Sequence, residues 1–589
     1  MSWQAWYTLA VTFAALVCLI KDWLAPSNVM VGAAIALLLA GVITPAETFA
    51  GFGNPAPITV AALYVIARAA EKTAILQPLL ERLMGQGGGG RWAMTKLFVP
   101  SAAASAFLNN TPIVAMLIPQ ILRWCETTRE SAARYLMPLS FAVVLGGVVT
   151  TIGTSTNLVV SGLLEKAGQE PLGLFEITPI GLPVAIVGIA VLILTVPWLQ
   201  PARRSASSQL AERGREFSVS MKVIAGGPLA GKSVEGAGLR NLQGVFLAGI
   251  ERDGELIAPV APERRLRGGD RLSFVGRADR VVDLQSRRGL ESAEAPHMSE
   301  LQTARHRFCQ AVVGAASPLV GKTLKELDFR GRYQAAVIAV HRSGQPIHDK
   351  LGQVRLKLGD TLILLSDPGF RQRWRDRGDF LMVSEMGGTP PAITKKAWIV
   401  GIVGIGIVGV AGAGLLPILH ASLIGVIALI AGGVLTATEA RASIDLDTII
   451  VIAASFALGA GMENSGLAAA AAELVIGATG GGSVHGALLG IVVATAIATE
   501  MITNNAAAAL LFPIAFASAA RLGVDPRPFA IAVAVAASSS FLTPIGYQTN
   551  TMVYGPGGYR FTDYLRVGFP LTIASVVTTV LAIPWLWGI

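Results

Sequence analysis

Apolar runs long enough to cross a bilayer fill both ends of this chain, and each end interrupts them in the same two ways. The first interruption reads Leu108-Asn109-Asn110-Thr111 at one end and Ile502-Thr503-Asn504-Asn505 at the other, each followed by apolar residues to Pro119 or Pro513. The second reads Gly153-Thr154-Ser155-Thr156-Asn157 and Gly546-Tyr547-Gln548-Thr549-Asn550. Lipid offers no hydrogen bonds, so a spanning chain must be helical, and irregular backbone survives at depth only inside protein or along a cavity. Carboxamides and hydroxyls placed twice at matched spacing within apolar segments are what a carrier site near the membrane midplane requires.

Composition agrees. Hydrophobic residues make up 52% of the chain and charged residues 14%. Runs such as Tyr7–Ile20, Val29–Ile43 and Ile177–Leu199 have spanning character. Most charge lies between Arg203 and Lys396, so the net charge of +9 reflects basic loops rather than nucleic-acid binding. Cys18, Cys125 and Cys309 are far apart, with neither a disulfide framework nor metal-ligand spacing. The first apolar segment has no basic leader region or evident cleavage site and is expected to be a retained helix.

The pattern predicts a polytopic α-helical membrane protein of two inverted repeats, each with five spanning helices and a re-entrant hairpin. In the first half (1–204) the spans are 5–20, 28–44, 56–70, 134–165 and 176–199, with a hairpin at 92–122. In the second half (392–589) they are 396–413, 416–436, 447–462, 527–552 and 562–587, with a hairpin at 485–520. The fourth span of each half breaks at its Gly-x-x-Thr-Asn element. An odd number of crossings inverts the second half. Placing Arg203, Arg204, Lys395 and Lys396 in the cytoplasm also puts Lys21, Lys72, Arg82, Arg91, Lys96, Arg123, Arg129, Arg134, Arg441, Arg560 and Arg566 there, and leaves Lys166, Arg521 and Arg527 as exceptions. Both termini are then periplasmic or extracellular, in a cell inner (plasma) membrane.

An insert, 205–391, carries its own repeat. Pro228-Leu229-Ala230-Gly231-Lys232-Ser233 matches Pro318-Leu319-Val320-Gly321-Lys322-Thr323. Arg252-Asp253-Gly254 matches Arg342-Ser343-Gly344, and Gly269-Asp270 matches Gly359-Asp360. Short β-branched strands alternate with polar turns, predicting two small cytoplasmic α+β domains, 205–292 and 293–391, with 287–303 as a linker.

Two motif matches mislead. Gly226-x-x-x-x-Gly231-Lys232-Ser233 fits a phosphate-binding loop, but the second copy has Ala316 in place of the first glycine, so the shared unit is Pro-Leu-x-Gly-Lys-Ser/Thr. Gly404-x-Gly406-x-x-Gly409 fits a dinucleotide fingerprint but lies in an apolar run, where close helix packing is the expected use. Of the ionisable residues at depth, Glu500 stands out, while His420 and His485 are expected near membrane edges. Proton coupling needs a titratable relay, whereas sodium needs only hard oxygens, so sodium is the expected coupling ion and Glu500 the alternative coupling candidate.

With these residues in view, the chain resembles the divalent anion:sodium symporter family, the solute carrier family thirteen group of the ion transporter superfamily, over nearly all of 20–200 and 392–589. That family carries Ser-Asn-Thr at each hairpin tip. Asn109-Asn110-Thr111 and Thr503-Asn504-Asn505 keep the central asparagine and change its flanks, and Thr499-Glu500 precedes the second tip as in the family. Gly153–Asn157 and Gly546–Asn550 stand where the family has Gly-Thr-Pro-Pro-Asn, without the prolines. The resemblance implies one sodium ion per half, at Asn109, Asn110, Gly153 and Asn157, and at Thr503, Asn504, Gly546 and Asn550. It places the anion between the tips, against Asn110, Thr111, Asn504 and Asn505, with Thr156 and Thr549 nearby. It also implies an elevator-like motion and a homodimer in membrane lipid. The insert resembles paired TrkA-C (RCK C-terminal) modules, some of which bind cyclic di-AMP; the nucleotide-binding core that precedes such modules is absent, so no NAD is expected. Carriers of this family with two such modules include several linked to sulfate, which makes sulfate the expected anion and a dicarboxylate carried with sodium or protons the alternative. The expectation is a transporter and not an enzyme. Replacing Lys232 by Ala should change neither uptake nor ATP hydrolysis by the purified protein, and loss of a hydrolytic activity would restore the phosphate-loop reading.

Overall fold

The computed structural model describes 2–75 and 90–200 apart from 22 and 129, separate stretches of 218–385, and 396–589 apart from 480–482 and 545. Arg82, Arg129, Arg203, Arg204, Lys395 and most of the 287–303 linker lie outside the described residues.

The first half begins with α1 (Trp3–Lys21), α2 (Pro26–Leu39), a short α3 (Pro45–Phe49) and α4 (Pro55–Thr73). A hairpin of α5 (Arg91–Ser105) and α6 (Asn110–Thr128) follows. The next span is split into α7 (Leu136–Gly147) and α8 (Ser155–Lys166), and α9 (Thr178–Leu199) ends the half. Gly146, Gly147 and Gly153 flank the split, where the missing side chains favour leaving the helix.

The insert holds two five-stranded antiparallel sheets. The first comprises β1 (Ser218–Val223), β2 (Val245–Arg252), β3 (Glu255–Ile257), β4 (Arg271–Gly276) and β5 (Leu290–Ser292), in the order β3-β2-β4-β1-β5. The second comprises β6 (Arg307–Val313), β7 (Ala335–Arg342), β8 (Gln345–Pro346), β9 (Thr361–Ser366) and β10 (Phe380–Glu385), with α10 (Phe329–Tyr333) and α11 (Phe370–Trp374). Its order, β8-β7-β9-β6-β10, repeats the first sheet, including a register slip between Leu247 and Gly249 that recurs between Val337 and Ala339. The matched Arg and Asp residues are paired in both copies: Arg252 Nη2 lies 2.7 Å from Asp270 Oδ2, and Arg342 Nη2 lies 2.7 Å from Asp360 Oδ2. Burial would raise the Asp270 carboxyl, but the Arg252 guanidinium and the Arg267 amide outweigh it and hold it below the usual range. The Leu290–Ser292 strand pairs with β1, so this part of the expected linker belongs to the first sheet.

The two misleading motifs resolve here. Ser233 forms a β-bridge with Arg265, as Thr323 does with Arg355, and Gly231 donates its N–H to the Leu266 carbonyl. No helix starts at Lys232, so the loop lacks the helix N-terminus that cradles phosphate.

The second half repeats the first with α12 (Ala397–Gly412), α13 (Ile418–Ala431), a short α14 (Ala437–Ala442) and α15 (Leu446–Asn464). After α16 (Leu467–Ala478) come the hairpin helices α17 (Val484–Met501) and α18 (Asn504–Leu522). The split span is α19 (Pro526–Ser538) and α20 (Gln548–Tyr554), and α21 (Phe561–Trp587) closes the chain. Ser538-Ser539-Ser540 and Pro544 mark the second split. The repeat extends to α3 and α14, each begun by a reciprocal capping box, Thr44 with Glu47 and Thr436 with Glu439. Lys72 and the Thr436 amide hold the Glu439 carboxyl down, to about 2. Helix α16 was not expected from the sequence. A Cβ at Gly404, Gly406 or Gly409 would meet nothing within 4 Å, which corrects the close-packing expectation for α12; its contact with α13 is made instead by Ile407 and Val403 against Gly425. His420 and His485 are exposed in the first turns of α13 and α17.

Helix α7 is buried along its whole length, and α19 from Pro528 to Ser538. The halves interlock around them: α8 packs on α18 and α19, and α20 packs on α6 and α7. The three basic exceptions to the loop-charge pattern all have partners. Arg527 pairs with Glu176, Arg521 pairs with Glu473, and Lys166 donates to the Phe456 carbonyl at 2.8 Å. In the insert, Asp360 is fully buried against Arg342. Replacing Arg342 by Ala strands that carboxylate and should destabilise the second sheet by about 3 kcal/mol. The loss should appear as faster amide exchange in β7 and β9, with α7 and α19 unchanged.

Candidate functional site

The hairpin tips and helix breaks meet at two equivalent places. At each break an asparagine on the second half-helix reaches back over the unwound backbone. Asn157 Nδ2 donates to the carbonyls of Gly147 and Thr150 (3.4 and 2.9 Å), ten and seven residues earlier. Asn550 Nδ2 donates to those of Ser540 and Thr543 (3.0 and 3.3 Å), at the same two separations. Each break is tied to its own hairpin by a threonine: Thr150 Oγ1 donates to the Ala106 carbonyl, and Thr543 Oγ1 to the Glu500 carbonyl. These bonds align Gly147 with Ser540, Gly153 with Gly546, and Ala106 with Glu500.

The tip asparagines are held from within the hairpins. Ser105 Oγ donates to Asn110 Oδ1 at 2.5 Å, across five residues. Thr499 Oγ1 lies 2.8 Å from Asn504 Oδ1, again five residues on, and 2.5 Å from the Ala537 carbonyl. One hydroxyl proton cannot serve both oxygens. Donation to Ala537 turns the Asn504 carboxamide nitrogen toward Thr499 and its oxygen toward a buried position without another partner. Ser105 and Thr499 were not among the expected ligands, although their shared spacing to the tip asparagines was visible in the sequence.

Across the halves, Asn110 Nδ2 donates to Tyr547 Oη at 2.9 Å, and Thr111 Oγ1 lies 3.3 Å from Gln548 Oε1. In return Ser155 Oγ and Thr156 Oγ1 each donate to Asn505 Oδ1 at 3.2 Å. Each tip is therefore tied to the other half's break, Asn110 and Thr111 to Tyr547 and Gln548, and Asn505 to Ser155 and Thr156, with Asn504 and Asn505 both buried. Thr549 is turned away, fully buried, with its hydroxyl 2.8 Å from Ser140 Oγ, which also donates to Asn550 Oδ1. Asn109 is hydrogen-bonded to the Tyr64 hydroxyl on α4. Thr503 is exposed and caps α18, its Oγ1 accepting from the Ala506 N–H. The two glycines are required at their positions: a Cβ at Gly153 would meet the Gly147 and Ser105 carbonyls, and one at Gly546 would meet Ser540 Oγ and Thr543 Oγ1.

The oxygens here fit a small hard cation. Asn157 Oδ1 is fully buried without a hydrogen-bond partner, and so are Glu500 Oε2 and Ser540 Oγ in the other half. Unpaired buried oxygens cost free energy unless something coordinates them. Glu500 Oε1 is occupied, accepting the N–H groups of Phe541 (2.6 Å) and Leu542 (2.8 Å), so this residue holds the helix break and not its own hairpin. Among the described residues, no lysine or arginine forms an ion pair at either tip.

Paired hairpins, split helices and buried uncharged oxygens at depth define a polytopic helical membrane transporter. The chain belongs to the citrate-transporter family (CitMHS), whose profile matches residues 16–536 and 479–588. An uncharacterized transporter of Synechocystis is 36% identical over 100% of this chain and 98% of its own length. A Chlamydomonas reinhardtii protein named for a response to sulfur deprivation is 32% identical, over 92% of this chain and 95% of its own. Sodium/sulfate cotransporter 1 of the same alga is 24% identical, over 97% of this chain and 89% of its own.

Replacing Thr499 by Ala removes the hydroxyl between Asn504 and Ala537 and should cost about 1–2 kcal/mol. Thermal unfolding in detergent should show a lowered midpoint, and Thr499→Ser should restore it.

Proposed function

We propose that this transporter imports a small divalent anion, sulfate, together with sodium. The observation that carries the reading is the set of buried oxygens without hydrogen-bond partners at two equivalent tip-and-break positions, Asn157 Oδ1 in one half and Glu500 Oε2 with Ser540 Oγ in the other. Sodium would be held in the first half by Asn110 and Asn157 with the backbone around Gly153, and in the second by Asn504 and Asn550 with the backbone around Gly546. Bound sodium supplies the positive charge that the tips lack, which a doubly charged anion needs in a low-dielectric site. The anion lies between the tips, where Thr111, Ser155, Thr156, Asn505 and Gln548 offer hydroxyl and carboxamide donors.

Sulfate is favoured over a longer anion for two reasons. Tyr547 stands where the other half has Thr154, and its phenol bridges to Asn110, narrowing the space between the tips. A relative over nearly the whole chain is named as a sodium/sulfate cotransporter. A second reading, a dicarboxylate carried with sodium or protons, draws on the buried Glu500 carboxylate.

Alternating access would come from an elevator motion of the hairpins and split helices against α2, α4, α13 and α15, in a homodimer in the inner membrane. The termini would be periplasmic and 205–391 cytoplasmic. The insert would act as a pair of TrkA-C-like regulatory domains, with cyclic di-AMP as the first ligand to try. Supporting this, the second sheet sits against the end of α20: a Cβ at Gly359 would be 3.4 Å from Tyr554 Cδ1, and one at Gly555 would run into Thr361 Oγ1.

Labelled sulfate should accumulate in proteoliposomes under an inward sodium gradient, and excess succinate should not suppress it. Sodium-driven succinate uptake instead would change the substrate, and indifference to sodium would favour protons. Asn110→Ala and Asn504→Ala should each abolish sodium-driven uptake in protein that still purifies folded; unchanged uptake in both would refute the site.

A further inference from the structure

The two halves share a frame but not a charge. The threonine bonds that place Ala106 opposite Glu500, and the asparagine bonds that place Gly147 opposite Ser540, leave the first half with no side-chain oxygen at either position. The second half has a carboxylate and a hydroxyl there. Glu500 is 8% exposed and Ser540 is fully buried, yet Glu500 Oε2 and Ser540 Oγ have no hydrogen-bond partner. Both face one point. A Cβ built on Gly546 would collide with Ser540 Oγ, and would lie 2.9 Å from Thr543 Oγ1 and 3.2 Å from Glu500 Oε2. Thr543 cannot satisfy the other two, because its hydroxyl hydrogen goes to the Glu500 carbonyl and its oxygen accepts the Gly546 N–H at 3.0 Å. Three oxygens therefore converge beside a glycine, and the one hydrogen among them not already committed is that of the Ser540 hydroxyl, which leaves most of their lone pairs free for a cation.

Resting on the sodium reading above, we propose that Glu500 Oε2 and Ser540 Oγ are sodium ligands beside Gly546, so that the second-half ion is held by a carboxylate and the first-half ion by neutral oxygens alone. The difference sets the order of binding. A carboxylate already buried in low dielectric gains from an incoming cation without any other charge. A cation among neutral oxygens needs the anion to offset it. Sodium should thus enter the second half of the anion-free protein, and the first half only together with the anion.

The test is the thermal stability of the purified full-length protein in detergent, titrated with NaCl against choline chloride at constant ionic strength, without sulfate. Wild type should be stabilised in a saturable way. Glu500→Gln and Ser540→Ala should each raise the half-effective sodium concentration about tenfold or more. Ser540→Ala removes an oxygen that has no partner in the fold, so it reads the effect even if Glu500→Gln does not fold. A full sodium response in Ser540→Ala or Glu500→Gln overturns the proposal. If sodium still drives sulfate uptake in that case, sodium coupling survives and only the carboxylate ligand is lost. Absence of a sodium response in wild type, with uptake also indifferent to sodium, overturns both.

Discussion

Everything at the centre of this molecule depends on the hydrogen bonds that let two buried helices break. A break leaves carbonyl and N–H groups without helical partners in surroundings that offer no water. Asn157 and Asn550 take up two carbonyls each, at identical sequence separations, and Thr150 and Thr543 fasten each break to a hairpin. The frame is held by side chains and not by continuous helix, so its oxygens can point inward to a ligand. The same reasoning explains the burial of α7 and α19: irregular backbone is tolerated only behind a fully packed wall.

Much of this was legible in the sequence because it depends on local pattern. Apolar length and the interrupting Gly and Asn elements located both hairpins and both breaks to within a few residues, and the Arg and Asp positions matched within the insert are ion-paired in both copies. Local pattern left side-chain partners unread. Thr503, which the family resemblance made a sodium ligand, also caps α18, and Thr499 on the other arm of the hairpin reaches Asn504 from the interior. Asn109 adjoins Asn110, yet one step along the tip turns it to Tyr64. Gly404, Gly406 and Gly409 of α12 mimicked a packing motif, yet a Cβ on any of them would meet nothing within 4 Å among the described residues.

What no spacing rule could reveal is the exchange between halves. Asn110 meets Tyr547 across 437 residues, and Asn505 meets Thr156 across 349. These contacts arise because each short half-helix packs on the other repeat's hairpin, a property of tertiary arrangement alone. The basic residues that broke the loop-charge pattern belong here too. Arg527 and Arg521 have carboxylate partners, and Lys166 donates to a backbone carbonyl, so each reads as a structural bond and not as a topological signal.

Duplication gives two sites the same geometry, and substitution then gives them different chemistry. Ala106 and Gly147 in one half are Glu500 and Ser540 in the other, and Thr154 is Tyr547. The bonds common to both frames are made by other residues, Asn157 and Asn550, Thr150 and Thr543. Each exchange changes what stands beside those bonds: a carboxylate and an extra oxygen beside Gly546, and a phenol that reaches Asn110 across the halves. The Gly359 and Thr361 edge of the second insert sheet abuts Tyr554 and Gly555 at the end of the helix that carries Asn550. The contact is close: a Cβ at Gly555 would run into Thr361 Oγ1. That helix is only seven residues long, and its other end forms the break that Glu500 braces.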